Sequence, residues 1–108
     1  MKTVKFKDYL VPLVLSGQKT STWRLFDDKN LSIGDSIELR EFGKDEPFAT
    51  GHIVKVIEKP FKDLKTEDKE GHENYSNDGE MYKTYSGYYN TEVTPETIVK
   101  IIWFELEQ

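Results

Sequence analysis

Residues 19–25 read KTSTWRL, a run dominated by β-branched and aromatic side chains. Such residues favour an extended chain, so the run predicts a β-strand over Lys19–Leu25. Side chains alternate between the two faces of a strand, which places Thr20, Thr22 and Arg24 on one face and Trp23 on the other. We expect Trp23 to enter the core, so that Thr22 and Arg24 face a groove or solvent.

The segments around this strand predict an α+β fold. Thr3–Phe6 is β-leaning, and the apolar spacing that follows predicts a short helix that begins near Tyr9 and stops at Gly17. Further strands are predicted at 36–42, 48–57 and 97–106, with Gly51 expected to mark a bulge, and a helix at 78–88. Four strands with short helices and no β-α-β rhythm indicate one domain, residues 1–108, built on a small curved sheet or barrel.

The composition excludes several kinds of site. The chain has 108 residues and no cysteine, which rules out disulfides, thiolate metal sites and a cysteine nucleophile. Only two histidines are present, far apart in sequence, so we expect no metal and no cofactor. The longest apolar stretch, Leu10–Leu15, is interrupted by Pro12, and no apolar region follows Met1–Thr3. We therefore expect no membrane span and no signal peptide. We also expect a cytoplasmic protein, and a monomer.

Charge is distributed unevenly along the chain. The net charge is −5, but residues 1–30 carry six Lys/Arg against three Asp, a local +3. Residues 61–108 carry five Lys/Arg against eleven Asp/Glu, a local −6. A general nucleic-acid binder needs a basic surface. The whole chain lacks that balance, although its first third is suited to a small anion-binding patch.

Two polar runs could carry chemistry. Within Lys19–Arg24, the guanidinium of Arg24 is suited to a carboxylate, phosphate or carbonyl. Within Gly71–Tyr75, Glu73 could act as a general acid or base. The simpler interpretations are that the threonines favour a strand and that the second run is a solvated loop. The tyrosines of 82–89 could stack a base, but such a stripe more often packs a helix onto a sheet.

Four stretches taken in order resemble the ASCH (ASC-1 homology) domain, a relative of the PUA domain: Ser16–Arg24, Ile33–Asp35, Gly71–Glu73 and Ile101–Leu106. The most specific part is the pattern G-x-K-T-x-T-x-R followed by a Gly-Asp turn. The resemblance covers nearly the whole chain. It implies a small PUA-like β-barrel with short helices packed around it and a cleft beside the first barrel strand.

Some small bacterial ASCH proteins are amidohydrolases that remove the acetyl group of N(4)-acetylcytidine. The resemblance implies that Lys19, Thr22 and Glu73 are the catalytic residues of such an enzyme, which needs no metal. The expected substrate contacts are Arg24, Thr20 and Tyr75. A Tyr-rich segment, 79–91, departs from that branch of the family and leaves the substrate open.

The implied reaction places a geometric condition on the fold. Thr22 would attack the amide carbonyl, Lys19 would act as its base, and Glu73 would move the proton to the leaving amine and activate water. Arg24 or a backbone N–H would stabilise the oxyanion. Lys19 and Thr22 are three residues apart, on opposite faces of an ideal strand. They converge only if a bulge falls between them or if Lys19 lies in the loop before the strand.

Two other functions remain open from the sequence. ASCH and PUA relatives suggest an RNA-binding module, with or without ribonuclease activity, which would need an open basic groove. The third is a domain that binds a different small ligand or a regulatory partner.

Overall fold

The computed structural model describes residues 1–26, 29–72, 75 and 77–107. Its strands are β1 (Lys2–Phe6), β2 (Ser21–Arg24), β3 (Ser36–Glu41), β4 (Pro47–Pro60) and β5 (Ile98–Leu106). Its helices are α1 (Val11–Leu15) and α2 (Asp78–Tyr89), and 3-10 helices span Asp8–Leu10, Phe61–Asp63 and Thr66–Lys69. The predicted strands and helices are all present, within a few residues of their predicted bounds.

The five strands form one sheet in the order β1-β3-β4-β5-β2. Only β1 and β3 run parallel, and the other neighbours are antiparallel. The sheet curls into a half-barrel with two short helices, which confirms the α+β prediction. The expected count of four strands was wrong, because Thr3–Phe6 pairs with β3 as a full edge strand.

β4 bends at Val54 rather than at Gly51. Ile53 lies opposite Phe104 and Lys55 lies opposite Trp103, so Val54 is the extra residue of a bulge. Gly51 keeps its regular place in the ladder. A Cβ there would overlap the backbone carbonyl of Glu105, so glycine permits the close approach of β4 and β5. The prediction of a bulge at Gly51 was therefore wrong.

Hydrophobic side chains pack on both faces of the sheet. One cluster lies on the face shared with α1 and includes Val4, Phe6, Val14, Ile37, Leu39, Ile53, Ile102 and Phe104. The other lies under α2 and includes Trp23, Leu25, Phe61, Met81, Tyr85, Val99 and Ile101. β5 contributes to both clusters, so its centre is buried on both sides, while Ile98 at its start is 52% exposed.

The two helices begin and end as their local chemistry dictates. Pro12 falls in the first turn of α1, where its missing N–H costs nothing, and Gly17 follows with a φ of 85°. The side chain of Asn77 accepts a hydrogen bond from the Glu80 N–H and caps α2, which ends at Asn90 in the left-handed conformation. None of the helices described is long and apolar enough to cross a membrane.

Candidate functional site

A large cleft lies where the half-barrel does not close, between the edge strands β1 and β2. Its volume is about 820 Å³. Residues of both edge strands, the end of β3 and the C-terminal half of α2 line it, among them Lys5, Phe6, Thr22, Trp23, Arg24, Glu41, Tyr85, Tyr88 and Tyr89. This is the cleft beside a barrel strand that the resemblance implies.

Lys19 lies in the loop directly before β2 and lines this cleft together with Thr22. Its backbone N–H donates to the Leu13 carbonyl at 3.0 Å, which ties the loop to α1. Lys19 is only 3% exposed. Because β2 begins at Ser21, Lys19 is not part of the strand and need not alternate with Thr22. This is one of the two arrangements in which Lys19 and Thr22 can face the same cleft.

Thr22 and Arg24 are half-buried and alternate with the buried Ser21 and Trp23, as the strand pattern predicts. Both Thr22 and Arg24 line the cleft. The Nε of Arg24 is enclosed and has no hydrogen-bond partner among the described residues. Arg24 also borders a second cavity of about 600 Å³, beside its cross-strand partner Lys100.

Thr20 is joined to Gly71 and is not among the residues that line the cleft. The N–H groups of Thr20 and Ser21 both donate to the Gly71 carbonyl, at 2.9 and 3.2 Å. Gly71 has a φ of 79°, and a Cβ there would overlap the Thr20 hydroxyl. The threonine that the sequence placed near the substrate therefore packs against the 66–72 segment.

The 66–72 segment is anchored on both sides. Its Glu70 carbonyl accepts hydrogen bonds from Ser21 Oγ at 3.3 Å and from Trp103 Nε1 at 3.1 Å. On the other side, Asp68 Oδ2 accepts from Lys59 Nζ at 2.7 Å and from the Lys65 N–H at 2.9 Å. Burial raises the pKa of the Asp68 carboxyl, but these bonds outweigh it and leave that pKa below its usual value.

His72 is a cleft residue that the sequence interpretation missed. Its ring stacks on Trp23 with centroids 4.0 Å apart, and its Nε2 lies 3.3 Å from the Tyr85 hydroxyl. Its position next to Glu73 within the matched stretch was the available signal. Tyr75 joins the same aromatic cluster, 6.3 Å from Trp23, and is not among the cleft-lining residues. Glu73 itself lies outside the described residues.

The tyrosines of α2 have different roles. Tyr82 and Tyr85 pack into the core beneath the helix, and burial raises the pKa of the Tyr82 hydroxyl. Tyr89 accepts a hydrogen bond from the Leu25 N–H at 3.0 Å and so covers part of the outer edge of β2. Tyr88 lines the cleft, with Lys7 Nζ 4.6 Å from its ring centroid. The expected packing stripe thus also forms one wall of the cleft.

Comparison with solved structures shows which fold this is. A protein of Enterococcus faecalis V583, described by the family model DUF984, superposes with a TM-score of 0.74 at 22% identity, over 98% of this chain and 80% of that one. An ASCH domain from Lactobacillus crispatus JV V101 superposes with a TM-score of 0.71 at 10% identity, over 97% and 79%. The chain has the ASCH fold.

A mutant ASCH protein of Zymomonas mobilis shares this fold, with a TM-score of 0.67 at 10% identity, over 95% of this chain and 66% of that one. No family model and no curated protein matches the sequence.

The cleft of this ASCH fold is rich in cations and aromatic rings. Its charged lining residues within the described ranges are Lys5, Lys7, Lys19, Arg24, Asp8 and Glu41. Phe42 and Tyr88, at its mouth, are 59% and 46% exposed. Among the described residues, no three His, Asp or Glu side chains are placed to hold a metal ion. The cleft is therefore suited to a planar ligand that carries partial or full negative charge.

Proposed function

We propose that this ASCH-fold chain is an amidohydrolase that removes an acyl group from an acylated nucleoside such as N(4)-acetylcytidine. The observation that carries the proposal is the convergence of Lys19 and Thr22 on one cleft, with Lys19 almost fully buried. A threonine hydroxyl needs a nearby base to act as a nucleophile, and burial favours the neutral form of an amine.

The reaction proceeds in two steps. Thr22 Oγ attacks the acyl carbon while the Lys19 amine takes the hydroxyl proton. The bond between carbon and N4 then breaks, the proton passes to N4 through Glu73, and the acyl group stays on Thr22. Water, deprotonated by Glu73, attacks this ester, so that acetate leaves and the Thr22 hydroxyl is restored. The guanidinium of Arg24 is suited to stabilise the oxyanion in both steps.

The test is hydrolysis of N(4)-acetylcytidine to cytidine and acetate by the purified chain. We expect turnover that falls by at least about 100-fold in Thr22→Ala, Lys19→Met and Glu73→Gln. Lys19→Met keeps the side-chain volume, and thermal unfolding of each variant checks its fold. Thr50→Ala, which removes a half-buried threonine of β4 outside the cleft, is the matched control and should keep full turnover.

Two outcomes would contradict the proposal. Folded wild-type protein without turnover would remove the amidohydrolase function. Turnover that survives Thr22→Ala would keep the function but reject the nucleophile.

The alternative function is an RNA-binding module, and the exposed rings beside lysines at the cleft mouth favour it. Aromatic faces stack bases and lysines neutralise phosphates in single-stranded nucleic-acid sites. Lys7 over Tyr88 is such a pairing. The net charge of −5 opposes this function for the chain as a whole.

A further inference from the structure

We infer that the backbone N–H and C=O of Trp23 recognise the hydrogen-bonding edge of a cytosine-type base in the cleft. The inference rests on the proposed function, because it takes a nucleoside as the ligand. It adds to that function the backbone groups that would select the base of the nucleoside. Unlike the side-chain roles above, this recognition comes from an open stretch of strand edge.

The register of β2 shows where its backbone groups point. The Thr20 carbonyl accepts a hydrogen bond from the Phe104 N–H at 3.0 Å. In an antiparallel pair, only every second residue bonds to the partner strand, so Thr22 and Arg24 also bond to β5. The residues between them, Ser21 and Trp23, therefore direct their N–H and C=O away from β5, toward the open side of the sheet.

The neighbours of Trp23 on this open side confirm the directions. The Ser21 N–H donates to the Gly71 carbonyl at 3.2 Å, and the Leu25 N–H donates to the Tyr89 hydroxyl at 3.0 Å. Between these two covered positions, no described residue bonds to the backbone N–H or C=O of Trp23. Trp23 lines the cleft at this point.

An open backbone pair is unusual at so buried a residue. Trp23 is 5% exposed, and its ring stacks on those of His72 and Tyr85 at centroid distances of 4.0 and 5.9 Å. Nearly all buried backbone N–H and C=O groups in proteins have a partner. A rigid, unpaired donor and acceptor that face a cleft are thus prepared for a ligand that presents the complementary pair.

The edge of cytosine presents such a pair. Its N3 accepts a hydrogen bond, and the exocyclic N4 beside it donates one whether or not it is acylated. With N3 on the Trp23 N–H and N4 on the Trp23 C=O, the acyl group on N4 would lie toward the next residue, Arg24, because the C=O is on the Arg24 side of Trp23. The same contact that selects the base would then place the acyl carbonyl toward the guanidinium proposed to stabilise the oxyanion.

Amide hydrogen exchange and NMR titration test the inference without any turnover. The protein is Thr22→Ala and the probe is cytidine, which keeps N3 and N4. We expect the free Trp23 amide to exchange faster than the Arg24 amide, which is paired with β5. Cytidine should then slow Trp23 exchange and shift its amide resonance. Cytidine with a C–H group at position 3, 3-deazacytidine, should bind about tenfold more weakly or worse.

Tyr89→Phe is the matched control, because it removes the partner of the Leu25 amide and should speed the exchange of that amide without freeing another. The inference is overturned if cytidine does not bind, if it leaves the Trp23 amide unchanged, or if 3-deazacytidine binds equally well. Turnover of N(4)-acetylcytidine by wild type alongside such a result would leave the amidohydrolase standing. Protection of Trp23 without wild-type turnover would support the inference and reject the amidohydrolase.

Discussion

Gly71 is the residue on which the start of β2 depends most directly. Its carbonyl accepts hydrogen bonds from the N–H groups of Thr20 and Ser21. Its α-carbon lies against the side chain of Thr20. Lys19 lies immediately before this contact. A change at Gly71 should therefore disturb both the fold and the site through steric overlap.

Gly71→Ala should lower the free energy of unfolding by roughly 2–5 kcal/mol, because a positive φ and an overlap act together. Gly43→Ala is the matched control: Gly43 has a similar φ of 85° but nothing within 4 Å of the added Cβ. It should cost only the strain of the left-handed backbone, about 1–2 kcal/mol. Urea unfolding measures both. Equal losses in the two variants would show that the Thr20 contact does not matter.

At the scale of elements, the 3-10 helix Thr66–Lys69 connects β4 to the segment that reaches Thr20. The link is the buried carboxylate of Asp68, which is bound by Lys59 Nζ and by the Lys65 N–H. The lowered pKa of Asp68 means that the folded state favours the charged form. This element should therefore contribute stability that depends on pH.

Asp68→Asn should lower the free energy of unfolding at pH 7 by about 1.5–3 kcal/mol, the range for hydrogen bonds to charged groups. The Asp68 carboxyl has its pKa lowered in the folded state, so its contribution is complete above the unfolded value near 3.8 and disappears as pH falls through the folded value. The difference in the free energy of unfolding between wild type and variant should stay constant above about pH 5 and disappear below pH 3.8.

Asp35 is the control for that experiment. It accepts from Lys2 Nζ at 2.7 Å and from the Ser32 N–H at 2.8 Å, the same two kinds of donor, but at a more exposed place. Asp35→Asn should cost less, because solvent screens an exposed pair. Denaturant unfolding from pH 2 to 8 measures both variants. If Asp35→Asn lowered the free energy of unfolding as much as Asp68→Asn, burial would not be the cause. A loss in Asp68→Asn that did not depend on pH would also contradict it.

At the scale of the whole molecule, charge distinguishes the two proposed functions. The chain carries −5, while four basic side chains and two carboxylates line the cleft among the described residues. A neutral nucleoside gains little from long-range attraction to such a cleft. An RNA strand would depend on it, because its phosphates must replace counterions with the three cations that solvent reaches, Lys5, Lys7 and Arg24.

We expect the kcat/KM for N(4)-acetylcytidine to change by less than about twofold between roughly 50 and 200 mM NaCl. Binding of a single-stranded RNA through three phosphate contacts should fall roughly 20-fold over the same range. Parallel measurement of turnover and of RNA binding by fluorescence anisotropy separates the two. RNA affinity in the micromolar range that falls steeply with salt, without turnover, would favour the RNA-binding module.

The elements followed well from the sequence because they depend on local patterns. The alternation of Thr22 and Arg24 with Trp23 is a period-two pattern, and the burial of these residues agrees with it. The bulge was assigned to the wrong residue because a glycine in a strand indicates either a bulge or a close approach, and only the partner strand distinguishes them. At Gly51, the backbone of Glu105 makes it a close approach.

The sequence predicted only part of the candidate site. Lys19 and Thr22 were named from a motif, whereas the cleft that joins them is formed by β1, β2 and α2, which are far apart in the chain. His72 was missed as a cleft residue although it lies beside Glu73 in a matched stretch. The tyrosines of 82–89 were expected mainly to pack a helix onto the sheet, but Tyr88 lines the cleft. Thr20 was expected at the substrate, but a strand pattern cannot reveal that Gly71 covers it.

Side-chain periodicity and residue chemistry were thus enough to establish an α+β chain with a Lys-Thr-Arg run at the start of a strand. The pairing of β2 with β5 and the gap left beside β1 came from contacts between residues some eighty positions apart. Those contacts decide which backbone groups of Trp23 stay open and which side chains face one another. No local pattern encodes them, because they depend on how the whole sheet curls around its two cores.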